Sequence, residues 1–200
     1  MLHSLSQFLD PQFLIQTLGL AGIFFIVFAE SGLFFGFFFP GDSLLFTAGL
    51  FAAGGYFNIF FLALGAALAA IAGDSVGYWF GKKVGPKIFT REDSFFFHKK
   101  HISQAESFYN KYGPKTIILA RFTPIVRTFA PVVAGVGSMN YKKFLTYNII
   151  GGFVWSCGIV FSGYFLGSVI PNIDKYLLPI ICIIIVLSFL PILIEYFRIR

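Results

Sequence analysis

The stretch AESGLFFGFFFPGDSLLFTAGLFAAGG, residues 29–55, decides the fold. It sets Glu30 and Asp42 within a run of Phe and Leu, breaks that run at Pro40-Gly41, and ends on Gly54-Gly55. A Pro-Gly break at membrane depth frees backbone N–H and C=O groups, which is tolerated only where protein or a water-filled cavity satisfies them again. The stretch therefore predicts a re-entrant helical hairpin over about residues 30–55 rather than an ordinary spanning helix. A charged side chain at the bilayer centre costs about 2.5–3.5 kcal/mol. Two carboxylates in one apolar run thus demand a partner, a proton or an aqueous cavity.

A second broken run, GPKTIILARFTPIVRTFAPVVAGVGSM over residues 113–139, carries Arg121 and Arg127 around Pro124 and Pro131. Left unpaired, the four charges would together cost about 10–14 kcal/mol, which rivals the whole stability of an ordinary domain, about 5–15 kcal/mol. The two hairpins are therefore expected to meet, acids against arginines.

Composition sets the setting for this argument. The chain is 57% hydrophobic and 12% charged, with 29 Phe and a mean hydropathy of +0.80, which implies an integral membrane protein of one domain spanning 1–200. The net charge of +6 does not point to nucleic acid, because the basic residues gather at the ends of apolar runs: within 82–115, at Lys142-Lys143, and at Arg198 and Arg200. Cys157 and Cys182 each fall inside an apolar run and read as small buried hydrophobes. The N-terminus lacks the basic start of a secretory signal, so none is expected.

In chain order, an apolar run from Phe13 to Ala29 flows into the first hairpin without a loop. Spanning helices are expected at about residues 58–81, 144–170 and 177–195, with a cytoplasmic polar loop at 82–112. In that loop Phe95-Phe96-Phe97 beside Lys99-Lys100 suggests a helix lying on the bilayer surface. Placing the basic segments inside makes the second hairpin open from the cytoplasm and the first from the opposite face. An internal repeat agrees. Ala48-Gly49 and Gly77-Tyr78-x-x-Gly81 recur 86 residues later as Ala134-Gly135 and Gly163-Tyr164-x-x-Gly167. The predicted fold is thus an all-α polytopic membrane protein of two inverted repeats, each a re-entrant helical hairpin plus a spanning helix, with an additional C-terminal spanning helix. Inverted repeats with broken helices are the layout of secondary transporters.

The segments from Glu30 (ESGLFFGFFFPGDSLL), from Gly73 (GDSVGYWFG) and from Arg121 (RFTPIVRTFAPVVAG) resemble those of the DedA family, also described as the VTT or SNARE-associated domain. The resemblance covers about residues 20–170. It implies a multi-pass protein of the bacterial cytoplasmic membrane with two opposed re-entrant hairpins. It further implies lipid translocation, notably the recycling of undecaprenyl phosphate, with dependence on the proton gradient. The family's functional acids and arginines map onto Glu30, Asp42, Arg121 and Arg127. Where the family often has Gly-Arg, this chain has Gly81-Lys82, which keeps the charge but not the bidentate fork.

Chemistry gives the four charges a common task. A guanidinium is a planar donor fork suited to phosphate and stays charged wherever it is placed. Arg121 and Arg127 are therefore the candidate substrate-binding residues, for a phosphate-bearing membrane lipid. Glu30 and Asp42 can neutralise the arginines when the site is empty, or take up protons and release them, so they are assigned charge pairing or proton coupling. Asp74, Ser43 and Thr128 are supporting residues, and Pro40, Gly41 and Pro124 shape the breaks. His98 and His101 lack the further ligands a metal site needs, so no metal or cofactor is expected. No histidine lies in either hairpin to activate Ser43 or Thr128 as a nucleophile, which weighs against a membrane lipid phosphatase and against an enzyme in general. A proton-coupled carrier of a small ion or solute is the alternative within transport. The small-residue faces permit a homodimer without requiring one.

Overall fold

The computed structural model describes residues 11–33, 41–88 and 112–169. Every regular element among the described residues is helical: α1 (Pro11–Gly32), α2 (Gly41–Ala53), α3 (Ile59–Ile88), α4 (Thr116–Ala120), α5 (Pro124–Val136) and α6 (Tyr141–Val169). Pro40 and the hairpin tip, His98 and His101 with most of the polar loop, and the expected span at 177–195 lie outside the described residues.

Two helices are long and apolar enough to cross a membrane, Ile59–Val84 of α3 and Tyr141–Val169 of α6, with mean hydropathies of 2.0 and 1.7. At 1.5 Å per residue the 26 residues of the first span about 39 Å, more than the roughly 30 Å of a hydrocarbon core. Each of these helices opens on an asparagine cap. The Asn58 carboxamide oxygen accepts from the N–H groups of Phe60 and Phe61 at 3.0 and 3.1 Å, and that of Asn140 accepts from Lys142 at 3.0 Å. Each cap satisfies donors that the first turn would otherwise leave without a partner.

The other helices are interrupted where the sequence interrupts them. In α1, Gly19 leaves helical geometry at φ 58°, a left-handed conformation that a side chain would resist. Between α4 and α5 the chain turns at residues 121–123, with Thr123 extended at φ −120° because the ring of Pro124 disfavours helical backbone before it. Pro131, inside α5, has no N–H to give the carbonyl of Arg127 four residues earlier.

The chain folds as two compact units, one drawn from Met1–Ile23, Pro40–Ala63 and Gly158–Arg200, the other from Phe24–Phe39 and Leu64–Cys157. In the first unit α2 crosses α6 with backbones almost touching: a methyl group on Gly49 would strike the carbonyl of Val160, and one on Gly163 the carbonyl of Phe46. In the second unit α5 crosses α3 in the same way, Gly135 against the carbonyl of Tyr78 and Gly81 against that of Val132. Small residues permit such approach, and close approach is what holds helices together where no hydrophobic driving force acts. The short-helix members of these contacts, Phe46 with Gly49 and Val132 with Gly135, lie 86 residues apart, the interval of the sequence repeat, whereas the long-helix members, Val160 with Gly163 and Tyr78 with Gly81, lie 82 apart, about one helical turn off it. Each short helix therefore packs on the long helix of the opposite half, α2 on α6 and α5 on α3.

Candidate functional site

The second unit buries two ion pairs. Glu30 stands near the C-terminal end of α1, where a close crossing sets Gly32 on the backbone of Gly73 in α3. Its carboxylate accepts a hydrogen bond from Arg127, in the first half of α5, and the two side chains are 4% and 3% exposed. The Arg127 guanidinium also lies 4.8 Å from the ring centroid of Trp155, a buried residue of α6. A desolvated cation over an indole face gains about 2 kcal/mol or more.

Arg121 occupies the break between α4 and α5. Its Nη2 donates to Asp74 Oδ2 on α3 and to Asn148 Oδ1 on α6, each at 2.5 Å. Asn148 then donates through Nδ2 to the carbonyl of Ile71 at 3.1 Å, which also accepts from the Ser75 hydroxyl at 2.8 Å. Gly151 and Gly152 make room for this arginine. A methyl group at Gly151 would stand 3.0 Å from Arg121 Cδ, and one at Gly152 would press on Ile71 at 2.7 Å. Arg121 Nε and Nη1 and Asp74 Oδ1 are buried and have no hydrogen-bond partner among the described residues. A buried polar atom left in that condition costs about 1–3 kcal/mol. The fork of Arg121 thus keeps donors in hand for another acceptor.

The structure brings Glu30, Asp74, Arg121, Arg127 and Thr128 into one unit, all buried. Asp42 and Ser43 lie in the other unit, in the first turn of α2, with Ser43 buried and its carbonyl accepting from the Thr47 hydroxyl at 2.7 Å. The pairing also refines the charge assignment: Arg121 is held by Asp74, from the spanning helix, rather than by an acid of the first hairpin. Two contributors were not singled out from the sequence. Asn148 carried a signal, a lone carboxamide beside Ile149-Ile150 in an apolar helix, where a buried polar group needs partners. Trp155 carried none, since an aromatic residue in an apolar helix is ordinary.

Comparison with known proteins supplies a family. Residues 39–165 match the VTT domain. The chain is 45% identical over 178 residues to protein DedA of Escherichia coli, covering 88% of this chain and 81% of that one. It is also 45% identical over 199 residues to an uncharacterized membrane protein of Mycobacterium tuberculosis, covering 96% and 87%, and 32% identical over 160 residues to one of Synechocystis, covering 80% and 72%. No solved structure matches the chain.

Proposed function

This chain belongs to the VTT-domain family of membrane proteins, the family of DedA, and from that premise we propose that it moves a phosphate-bearing lipid across the bacterial cytoplasmic membrane, with undecaprenyl phosphate as the first candidate and the proton gradient as the drive. The observation that carries the reading is the pair of buried arginines, Arg121 and Arg127, each held by a carboxylate in one apolar helical unit. Ionisable groups inside a membrane are expensive, and where they persist they mark substrate and proton paths.

The mechanism is competition. A lipid phosphate offers the acceptor geometry that Glu30 and Asp74 now supply, so it enters where a carboxylate leaves. Protonating Glu30 cancels its charge and releases Arg127 to the phosphate. Asp74 stands in the same relation to Arg121, whose unused donors add a second contact. Deprotonation restores the ion pairs and expels the phosphate, which couples lipid movement to proton movement. Asp42, in the first turn of α2, is proposed as a further proton carrier. Helix α1 with α2, and α4 with α5, are read as two re-entrant hairpins of inverted halves, a reading supported by the same kind of glycine crossing in both units, with the short-helix members at the sequence interval. Trp155 keeps Arg127 on a fixed platform through the exchange.

Transbilayer movement of undecaprenyl phosphate in proteoliposomes tests this, with wild type, Arg127→Ala and Glu30→Ala compared with and without a pH gradient. Movement driven by the gradient in wild type and lost in both variants is the expected result. Movement unchanged in both variants, or absent in wild type, would overturn the reading. Release of inorganic phosphate from the lipid would replace it with a phosphatase.

A further inference from the structure

One end of the second unit gathers aromatic rings and lysines that the ion pairs do not use. Tyr78 is fully buried, donates its hydroxyl to the carbonyl of Met139, and stacks on Phe144 with centroids 4.7 Å apart. This ties α3 to the turn that opens α6. Beside it Trp79, half exposed, meets Tyr141 at 5.2 Å, and Lys82 carries its ammonium 5.2 Å from the Trp79 centroid and 6.0 Å from that of Tyr78. Lys82 and Lys83 close the apolar part of α3, and Lys142 and Lys143 follow Tyr141, the first residue of the other apolar helix; all four lysines are exposed. Tryptophan and tyrosine of this kind, apolar in body and polar at one tip, favour the level of the lipid headgroups. The acids described in this unit, Glu30 and Asp74, are both buried, so none of them neutralises the patch.

We propose that Lys82, Trp79 and Tyr141, with Lys83, Lys142 and Lys143, form a binding site for the headgroup of an anionic phospholipid, separate from the buried arginines. The rings of Trp79 and Tyr78 hold the Lys82 ammonium at the edge of the apolar helices, with Tyr141 packed on both rings, so the headgroup phosphate meets a charge already in position while its acyl chains run along α3. The neighbouring lysines favour a headgroup with net negative charge over a zwitterionic one. Lys82 suits this task because an ammonium is a compact point charge that engages one phosphate without requiring a planar partner.

The test uses the purified full chain in a non-ionic detergent, with phosphatidylglycerol, phosphatidylcholine or inorganic phosphate added and bound lipid counted by native mass spectrometry. Phosphatidylglycerol should be retained over phosphatidylcholine, and Lys82→Gln and Lys142→Gln should each lower its retention about fivefold. Lys82→Arg should preserve it, and Trp79→Leu, which leaves every lysine, should lower it about two- to fivefold. Thermal unfolding of each variant, expected to be unchanged, separates lost binding from lost fold. Equal retention of the two lipids, or wild-type retention in the Lys82→Gln/Lys142→Gln double variant, would overturn the proposal. So would displacement of phosphatidylglycerol by inorganic phosphate, which would make the patch a site for free anions. None of these outcomes depends on whether the buried arginines carry a lipid.

Discussion

The crossing of α2 on α6 and the crossing of α5 on α3 use the same device, glycine against backbone, and the two described ion pairs belong to the unit that holds the second. The long-helix contacts lie 82 residues apart and the short-helix contacts 86, the interval of the sequence repeat. At that interval Asp74 corresponds to Val160, Asn148 to Leu62, and Arg127 to Gly41. All six are buried. One unit fills these positions with hydrocarbon or nothing, the other with an acid, a carboxamide and an arginine. The comparison separates what the fold requires from what has been added to it. Close helix approach is common to both units, whereas the network of Asp74, Arg121 and Asn148 belongs to one and costs desolvation that packing alone does not demand.

The largest effect should come from removing one member of an ion pair. Asp74→Ala leaves Arg121 buried without its carboxylate, and loss of one partner from a buried pair costs about 3–5 kcal/mol. Thermal unfolding in detergent should show this as a large fall in Tm, while Val160→Ala at the corresponding position should cost clearly less. Asn148→Leu comes next. It deletes a hydrogen bond to a charged group, worth about 1.5–3 kcal/mol, and Leu62→Asn should not rescue it, because no arginine stands at the equivalent place.

Gly49→Ala and Gly135→Ala sharpen the comparison from the other side. Each methyl group would meet a helix carbonyl that has no free rotor to yield, so both should destabilise by about 1–3 kcal/mol and to a similar degree, in contrast with the unequal effects at the polar positions. The smallest change belongs to Gly158→Ala in α6. Nothing lies within 4 Å of the added carbon there, so the variant should be neutral or gain up to about 1 kcal/mol from helix propensity.

Much of this contrast follows from residue types, and part of it does not. The break between α4 and α5 was legible because Pro124 interrupts an apolar run, and the need to pair Glu30 with an arginine followed from the cost of a bare charge in hydrocarbon. The partner of Arg121 was harder to choose. Asp74 sits in a continuous apolar helix, and a sequence shows that such an acid must be compensated without showing which cation reaches it. The exchange of α2 onto α6 and α5 onto α3 was beyond reach for a related reason: small-residue spacing marks a face that can be approached closely, but every such face has the same composition. Asn148 could have been found by asking the same question of a carboxamide that was asked of the carboxylates.

The central claim is that phosphate and the Glu30 carboxylate compete for Arg127. Its most direct test is the affinity for undecaprenyl phosphate of wild type and Glu30→Gln across a range of pH. In wild type, acid protonates Glu30 and removes the competitor, so binding should tighten as pH falls. Glu30→Gln should bind about 10–100-fold more tightly than wild type at the alkaline end, the worth of about 1.5–3 kcal/mol for a hydrogen bond to a charged group, and should lose most of the pH dependence. Weaker binding in Glu30→Gln, or a pH dependence equal to that of wild type, would contradict the account.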